Sequence, residues 1–511
     1  MRKTLLFPVF AVLLSLFSPC LFSQDFQFLP GAEYDPAIPT LKDVVGHSNG
    51  EKITSVADAV KYLEALDQSS SKMQLFPYAE SWEGRTLYYA VISSDENMNR
   101  MDSIKSDIQK LAFPVNGGEE AFFIDEMPAV AWLACGVHGS EISGPESALM
   151  TIYHLLASRN DQMVSGILDN CITIIDPIQN PDGRERFVNY FTQSVGRWPD
   201  ADPQAAEHNE TWPGGRYNHY LFDMNRDWFG MTQPETRGRI KLYQEWYPQV
   251  MADLHEMGGD STYYFAPPAI PHNPEITGGQ IDWLTRMGRN NARWFDKMQF
   301  DYFTREVFDS FYPGYGEGWP MFQGSIGMTY EQASVRGMVR DRSDNTTLHY
   351  RNSVQHQFIA SISTLEAASV NREELVRHFY DYRKNAAEGN FPREVKEIIL
   401  AEGPDPARTM KLVNSLRDQG IKVLRATAAF SNPMARDYYS DDFTDTEFPE
   451  GSYIVPLDQP AGHLAATLLM RHTPQGEKFI EIQRKRKEKG LGDQIYDLTA
   501  WSLPLLYDVK A

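Results

Sequence analysis

Four side chains in this 511-residue sequence have the types and settings for metal-assisted hydrolysis: His138, Glu141, His255 and Glu331. His138 and Glu141 lie in LACGVHGSEISG (133–144), where an apolar run stops on an imidazole and a carboxylate follows three positions later. Alone, an HxxE pair marks a surface turn as readily as a metal site, because short motifs recur by chance. A tight Gly-Ser turn brings positions three apart together, so both side chains can face one ion. His255 follows the apolar run PQVMADL, and Glu331 closes IGMTY. One zinc ion held by His, Glu and His keeps a fourth position open for water, which is the catalytic arrangement. The stretch HEMGG at His255 starts like a zinc-binding HExxH helix, but Gly259 stands where the second histidine is needed and two glycines oppose the helix. His255 is therefore a single ligand from its own strand. Glu331 is the candidate for proton transfer. Its rival, Glu256, adjoins His255 on a strand and must point the other way, which makes it a supporting residue.

These residues form one site only if the elements before them run in parallel and end at a common edge. AVAWLACGV (129–137) and CITIIDPIQ (171–179) are short apolar runs, and GPESALMTIYHLLASR between them has a proline near its start and helical periodicity. Strand, helix and strand in that order imply a right-handed parallel crossover buried on both faces. The alternation continues through the helix ETRGRIKLYQEW, the strand PQVMADLHEM, the helix DWLTRMGRNNARWFDKM, the strand IGMTYEQAS and the helix TTLHYRNSVQHQFIASISTLEAA. Upstream, TSVADAVKYLEALDQSS reads as a helix and GRTLYYAVISS as a strand. The expected architecture is α/β, a doubly wound mixed and mostly parallel sheet over residues 46–375, with ligands gathering at the carboxyl ends of the strands. Residues 184–222 read as a long polar connection with Trp198, Trp212 and Pro213, more suited to function or surface cover than to a core. A linker helix over 376–391 leads to a second, smaller α/β accessory domain at 392–511, with a short lead at 24–45 before the first.

The composition is globular, with 42% hydrophobic and 12% aromatic residues. The segment MRKTLLFPVFAVLLSLFSPCLFS (1–23) has two cations and then an apolar run, the pattern of a secretory signal peptide. Pro19 before Cys20 argues against a lipoprotein, and no later segment is apolar for long enough to span a membrane. A secreted or periplasmic location is expected. Loss of that leader takes the net charge from -21 to about -23, which repels nucleic acid and anionic membrane surfaces. Cys135 and Cys171 then remain, expected at opposite ends of parallel strands and unable to bridge easily.

With these residues in place, residues 45–370 resemble the M14 family of zinc carboxypeptidases. The resemblance rests on EGR (83–85), HGSE at His138 and Glu141, NPDG from Asn180, NRDW from Asn225, DLHEM at His255 and TYEQAS at Glu331, all in family order. It implies that His138, Glu141 and His255 bind one zinc ion and that Glu331 activates water. It further implies that Asn225 and Arg226 clamp a terminal carboxylate, a task suited to the bidentate guanidinium. For the family's oxyanion-stabilising arginine, Arg216 fits best, with Arg186 and Arg197 as rivals. For the tyrosine that caps the substrate, SFYPGYGEGWP offers Tyr312, with Tyr315 as the alternative, and Glu317 could favour a basic substrate side chain. Residues 392–511 resemble a glutamine-amidotransferase-like unit, yet no cysteine follows Cys171, so cysteine-based amidotransferase chemistry is excluded there.

The expected function is a secreted zinc metallocarboxypeptidase acting on peptides. The alternatives are a hydrolase of peptidoglycan or other non-standard amides at the same site, and a non-catalytic zinc- or peptide-binding protein on the same fold.

Overall fold

Residues Ala129–Cys135, strand β3 once β1 (Met73–Glu80) and β2 (Thr86–Ile92) are counted, are buried without exception, and so are Cys171–Asp176 of β4. Two unbroken apolar runs of this length satisfy both faces of a sheet covered by helices. The computed structural model describes residues 26–114, 124–391, 393–401, 403, 405–494 and 501–511; the expected leader, with Cys20, lies outside them. Residues Ala32–Ala511 form one compact unit.

Strands β5 (Val250–Met257), β6 (Tyr263–Tyr264) and β7 (Ile326–Ala333) complete a mixed sheet in the order β1-β2-β4-β3-β5-β7-β6. The four central strands β4, β3, β5 and β7 run parallel, and the edges add antiparallel pairs. The register sets the site. Cys135 pairs with Leu254 and His255 with Glu331, so β3, β5 and β7 all deliver their carboxyl ends to one edge. Helices α1 (Ser143–Ala157), α4 (Gly278–Met298) and α5 (Tyr350–Val370) pack together against the sheet, with α5 touching both of the others. A second group joins the helix at Met101–Ala112 to α3 (Pro234–Trp246) and α6 (Arg372–Ala387), giving the doubly wound arrangement.

The structure differs from the sequence reading in several places. The connection expected over 184–222 begins with helix: α2 (Pro181–Ser194) is capped by Asn180, whose Oδ1 accepts from the Gly183 N–H at 2.8 Å, and Pro181 takes the first helical position. Thr347–His349, expected as the start of α5, is a strand paired with Val339–Asp341, because two threonines and a polar turn favour a hairpin before the helix. In the C-terminal region, β8 (Glu397–Leu400) and β9 (Leu424–Arg425) flank β12 (Tyr453–Pro456) and both run antiparallel to it. Helix α7 (Pro406–Asp418) connects β8 to β9, and a hairpin unseen in the sequence, β10 (Phe430–Ala435) with β11 (Thr444–Phe448), precedes β12. Helix α8 (Gly462–Leu469) follows.

Cys135 and Cys171 are buried free thiols at opposite ends of adjacent parallel strands. Among the described residues, no helix is long and apolar enough to cross a membrane.

Candidate metal and active site

Past the end of β3 the chain turns at Gly136, whose φ of +68° suits glycine, and reaches His138. The Glu141 N–H donates to the His138 carbonyl at 3.1 Å, closing the turn that puts both side chains on one side. Glycines make the turn possible. A Cβ at Gly139 would lie 2.1 Å from the Arg184 nitrogen and 2.2 Å from the Gly183 carbonyl carbon. A Cβ at Gly183 would lie 2.3 Å from the Gly215 carbonyl oxygen, and one at Gly215 would lie 2.7 Å from that of Gly183. Three backbones thus interlock: the His138–Glu141 turn, the first turn of α2 and the segment leading to Arg216.

Ligand atoms of His138, Glu141 and His255 lie within 4.8 Å of one another. His138 Nδ1 is 2.7 Å from Glu141 Oε1, and His255 Nδ1 is 2.9 Å from Glu141 Oε2. The far nitrogens face carboxylates: His138 Nε2 is 3.1 Å from Asp223 Oδ1, and His255 Nε2 is 3.0 Å from Asp253 Oδ2. Metal-binding imidazoles are held in this way, with one nitrogen towards the ion and the other fixed by an acid. The donor set of two nitrogens and one carboxylate suits zinc with an open position. Burial resists ionisation of Glu141, but His138 and His255 outweigh it and hold the carboxyl well below the usual range.

Glu331 lies beside His255 on the neighbouring strand. Burial pushes its carboxyl up to about 8, Glu141, Glu317 and Asp253 add to that, and His255 opposes them. A divalent cation in this pocket would favour the ionised form. Glu256 points away, accepting from the Ser143 N–H at 2.7 Å and the Ser334 hydroxyl at 2.6 Å. Glu317 is buried near Asp253 and Thr329, and burial lifts it to about 7.

Of the three arginines, Arg216 reaches the cluster. Its Nη2 and Nε donate to Asp223 Oδ2 at 2.9 and 3.1 Å, and its Nη1 is 3.7 Å from Glu141 Oε1. Arg186 is tied instead to the backbone carbonyls of Gly214 and Asn218, and Arg197 lies over the exposed Trp198. Asn225 Oδ1 accepts from the Gly316 N–H at 2.8 Å, and its Nδ2 is 3.3 Å from His255 Nε2. The Arg226 guanidinium stacks over Tyr315 at 4.5 Å. Tyr312 is 5% exposed, with its hydroxyl 3.5 Å from the Arg226 carbonyl oxygen.

Asp223 and Asp253 were missed by the sequence reading. Each stands two positions before a named residue, in DMNRDW and DLHEM, and on β5 that spacing places Asp253 on the same face as His255.

Residues 59–268 match the zinc carboxypeptidase family, Peptidase_M14. The zinc carboxypeptidase match spans His138, Glu141, Arg216, Asn225, Arg226 and His255, and ends before Tyr312 and Glu331. The chain is 29% identical over 125 residues to carboxypeptidase 2 of Trichophyton rubrum, covering 24% of this chain and 18% of that protein. It thus spans about one fifth of the length of the curated relatives it matches. Among solved structures, a metallo-carboxypeptidase from Burkholderia cenocepacia aligns with a TM-score of 0.41 and 13% identity, over 63% of this chain and 69% of that one. Carboxypeptidase A from Helicoverpa armigera gives 0.41 and 15%, over 67% and 76%.

Proposed function

We propose that the chain is an exported zinc metallocarboxypeptidase that hydrolyses the C-terminal peptide bond of peptides. The opposed orientation of two imidazoles carries this reading: each turns Nδ1 to Glu141 and Nε2 to an acid. His138, Glu141 and His255 would hold the ion. Bound zinc supplies a Lewis acid for the scissile carbonyl and lowers the pKa of water. Glu331 takes up the proton and returns it to the leaving amine. Arg216, braced by Asp223, offers its guanidinium to the developing oxyanion. Asn225 and Arg226 bind the terminal carboxylate and so confine cleavage to the chain end. Tyr312, with Tyr315 behind Arg226, closes that end of the pocket. Residues 392–511 act as an accessory unit; their glutamine-amidotransferase-like reading rests on a strand-helix-strand pattern alone.

The test compares peptides with free and amidated C-termini and cell-wall fragments, each with and without a chelator, for the native protein and Glu331→Gln. Chelator-sensitive release of C-terminal residues from free peptides only, lost in a zinc-loaded Glu331→Gln protein, is expected. Full activity in that variant removes Glu331 from its role, and cleavage of cell-wall fragments alone replaces the peptidase reading with the amidase one.

A further inference from the structure

The C-terminal region reaches the catalytic loops through two buried side chains. Helix α7 ends at Asp418, Gly420 just beyond it has a φ of +80° that stops the helix, and Gln419 between them turns inward with 0% exposure. Its Nε2 donates to the Phe229 carbonyl at 3.1 Å, and its Oε1 accepts from Trp319 Nε1 at 3.0 Å. The Gln323 side chain donates to the Gln419 carbonyl at 2.9 Å. One residue therefore joins the loop after Asn225 and Arg226 to the segment after Tyr312 and Tyr315. Trp501 is the second. Its indole N–H donates to the Thr467 carbonyl on α8 at 2.9 Å, while its ring lies 5.3 Å from Phe311 and 5.7 Å from Tyr312. The two loops meet at the Gly316 N–H, which donates to Asn225 Oδ1.

We propose that Gln419 and Trp501 are positioning residues, through which the C-terminal region sets the geometry of the carboxylate-binding loop and the tyrosine loop. The proposal rests on the carboxypeptidase reading for its kinetic consequence, but not for its structural one. A loop that only binds the substrate's end contributes equally to ground and transition states, so loosening it raises KM and spares kcat. General destabilisation does the opposite, lowering apparent kcat with the folded fraction while KM holds.

The experiment uses the full chain with Gln419→Leu, Trp501→Ala, Trp501→Phe and, as a control, Leu412→Ala, which opens a cavity in α7 about two turns before Gln419. Hydrogen exchange is followed in peptides covering 225–231 and 312–321, alongside kinetics on a peptide with a free C-terminus. Gln419→Leu and Trp501→Ala should lose protection at Gly316 and raise KM roughly tenfold, with zinc content unchanged. Trp501→Phe, which keeps a ring beside Phe311 and Tyr312 but loses the bond to Thr467, should show smaller changes than Trp501→Ala, and Leu412→Ala should change neither. Unaltered protection at Gly316 in Gln419→Leu and Trp501→Ala, or a KM change of equal size in Leu412→Ala, overturns the positioning role. A native protein without carboxypeptidase activity overturns the functional reading instead and leaves the exchange data to decide this one.

Discussion

Replacing Gly139 by alanine tests whether the interlocked backbones determine the metal geometry. The added methyl would sit 2.1 Å from the Arg184 nitrogen and 2.2 Å from the Gly183 carbonyl carbon. Ordinary contact requires the turn or the start of α2 to retreat by more than about 1 Å. Neither obstacle is a flexible side chain, so the movement falls on the turn that carries His138 and Glu141. The expected stability loss is about 1–3 kcal/mol, the usual cost of overpacking. Zinc affinity, read by competition with a chromogenic chelator, should fall by about 10-fold or more, and kcat/KM on a free peptide by about 100-fold. Gly258→Ala is the matched control, because a Cβ there meets nothing within 4 Å. A Gly139→Ala protein with native zinc affinity and native kcat/KM would refute the interlock.

Asp223→Asn keeps the shape of the acid beside His138 but removes its charge, and zinc affinity should drop about 10- to 100-fold with little change in the melting temperature of the zinc-free protein. Burial pushes the Asp176 carboxyl up to about 7, against the opposing effects of Arg239, Tyr78 and Gln179. The folded state therefore holds this proton between the ordinary value of 3.8 and about 7, so the stability it gives is complete below about pH 4 and lost as pH rises through 7. Asp176→Asn should gain on the native protein over that window, by up to about 4 kcal/mol at pH 8 in urea titrations; an advantage that grew towards acid would contradict the assignment. Stripping zinc should lower the melting temperature, and added zinc should restore it with the logarithm of its free concentration above the dissociation constant, because a ligand of the folded state stabilises by mass action.

The central strands were legible because parallel strands buried on both faces read as continuous apolar runs, and β3, β4, β5 and β7 do so. His138, His255 and Glu331 were legible for the same reason, since each interrupts or closes such a run, and Glu141 was legible through its place three positions after His138. Edge strand β1 escaped notice because MQLFPYAE carries Pro77 beside a register shift and is mostly exposed or half-buried. Helix α2 was hidden by charge, since its buried face includes Asp182 and Arg184, which pattern reading assigns to solvent. Arg184 is buried because its guanidinium donates to the carbonyls of Thr54 and Ile142, partners far away in sequence. Gln419 and Trp501 carry no local signal at all, as their meaning lies in which loops they touch.

The two thiols of the central sheet have a practical use. Burial raises Cys171 to about 12 and Cys135 well above the ordinary thiol range, so neither offers a thiolate at neutral pH. In a chain that has lost the expected leader, and Cys20 with it, labelling by a thiol reagent would report only molecules whose sheet has opened, and its rate would serve as a clock for global unfolding without any engineered probe.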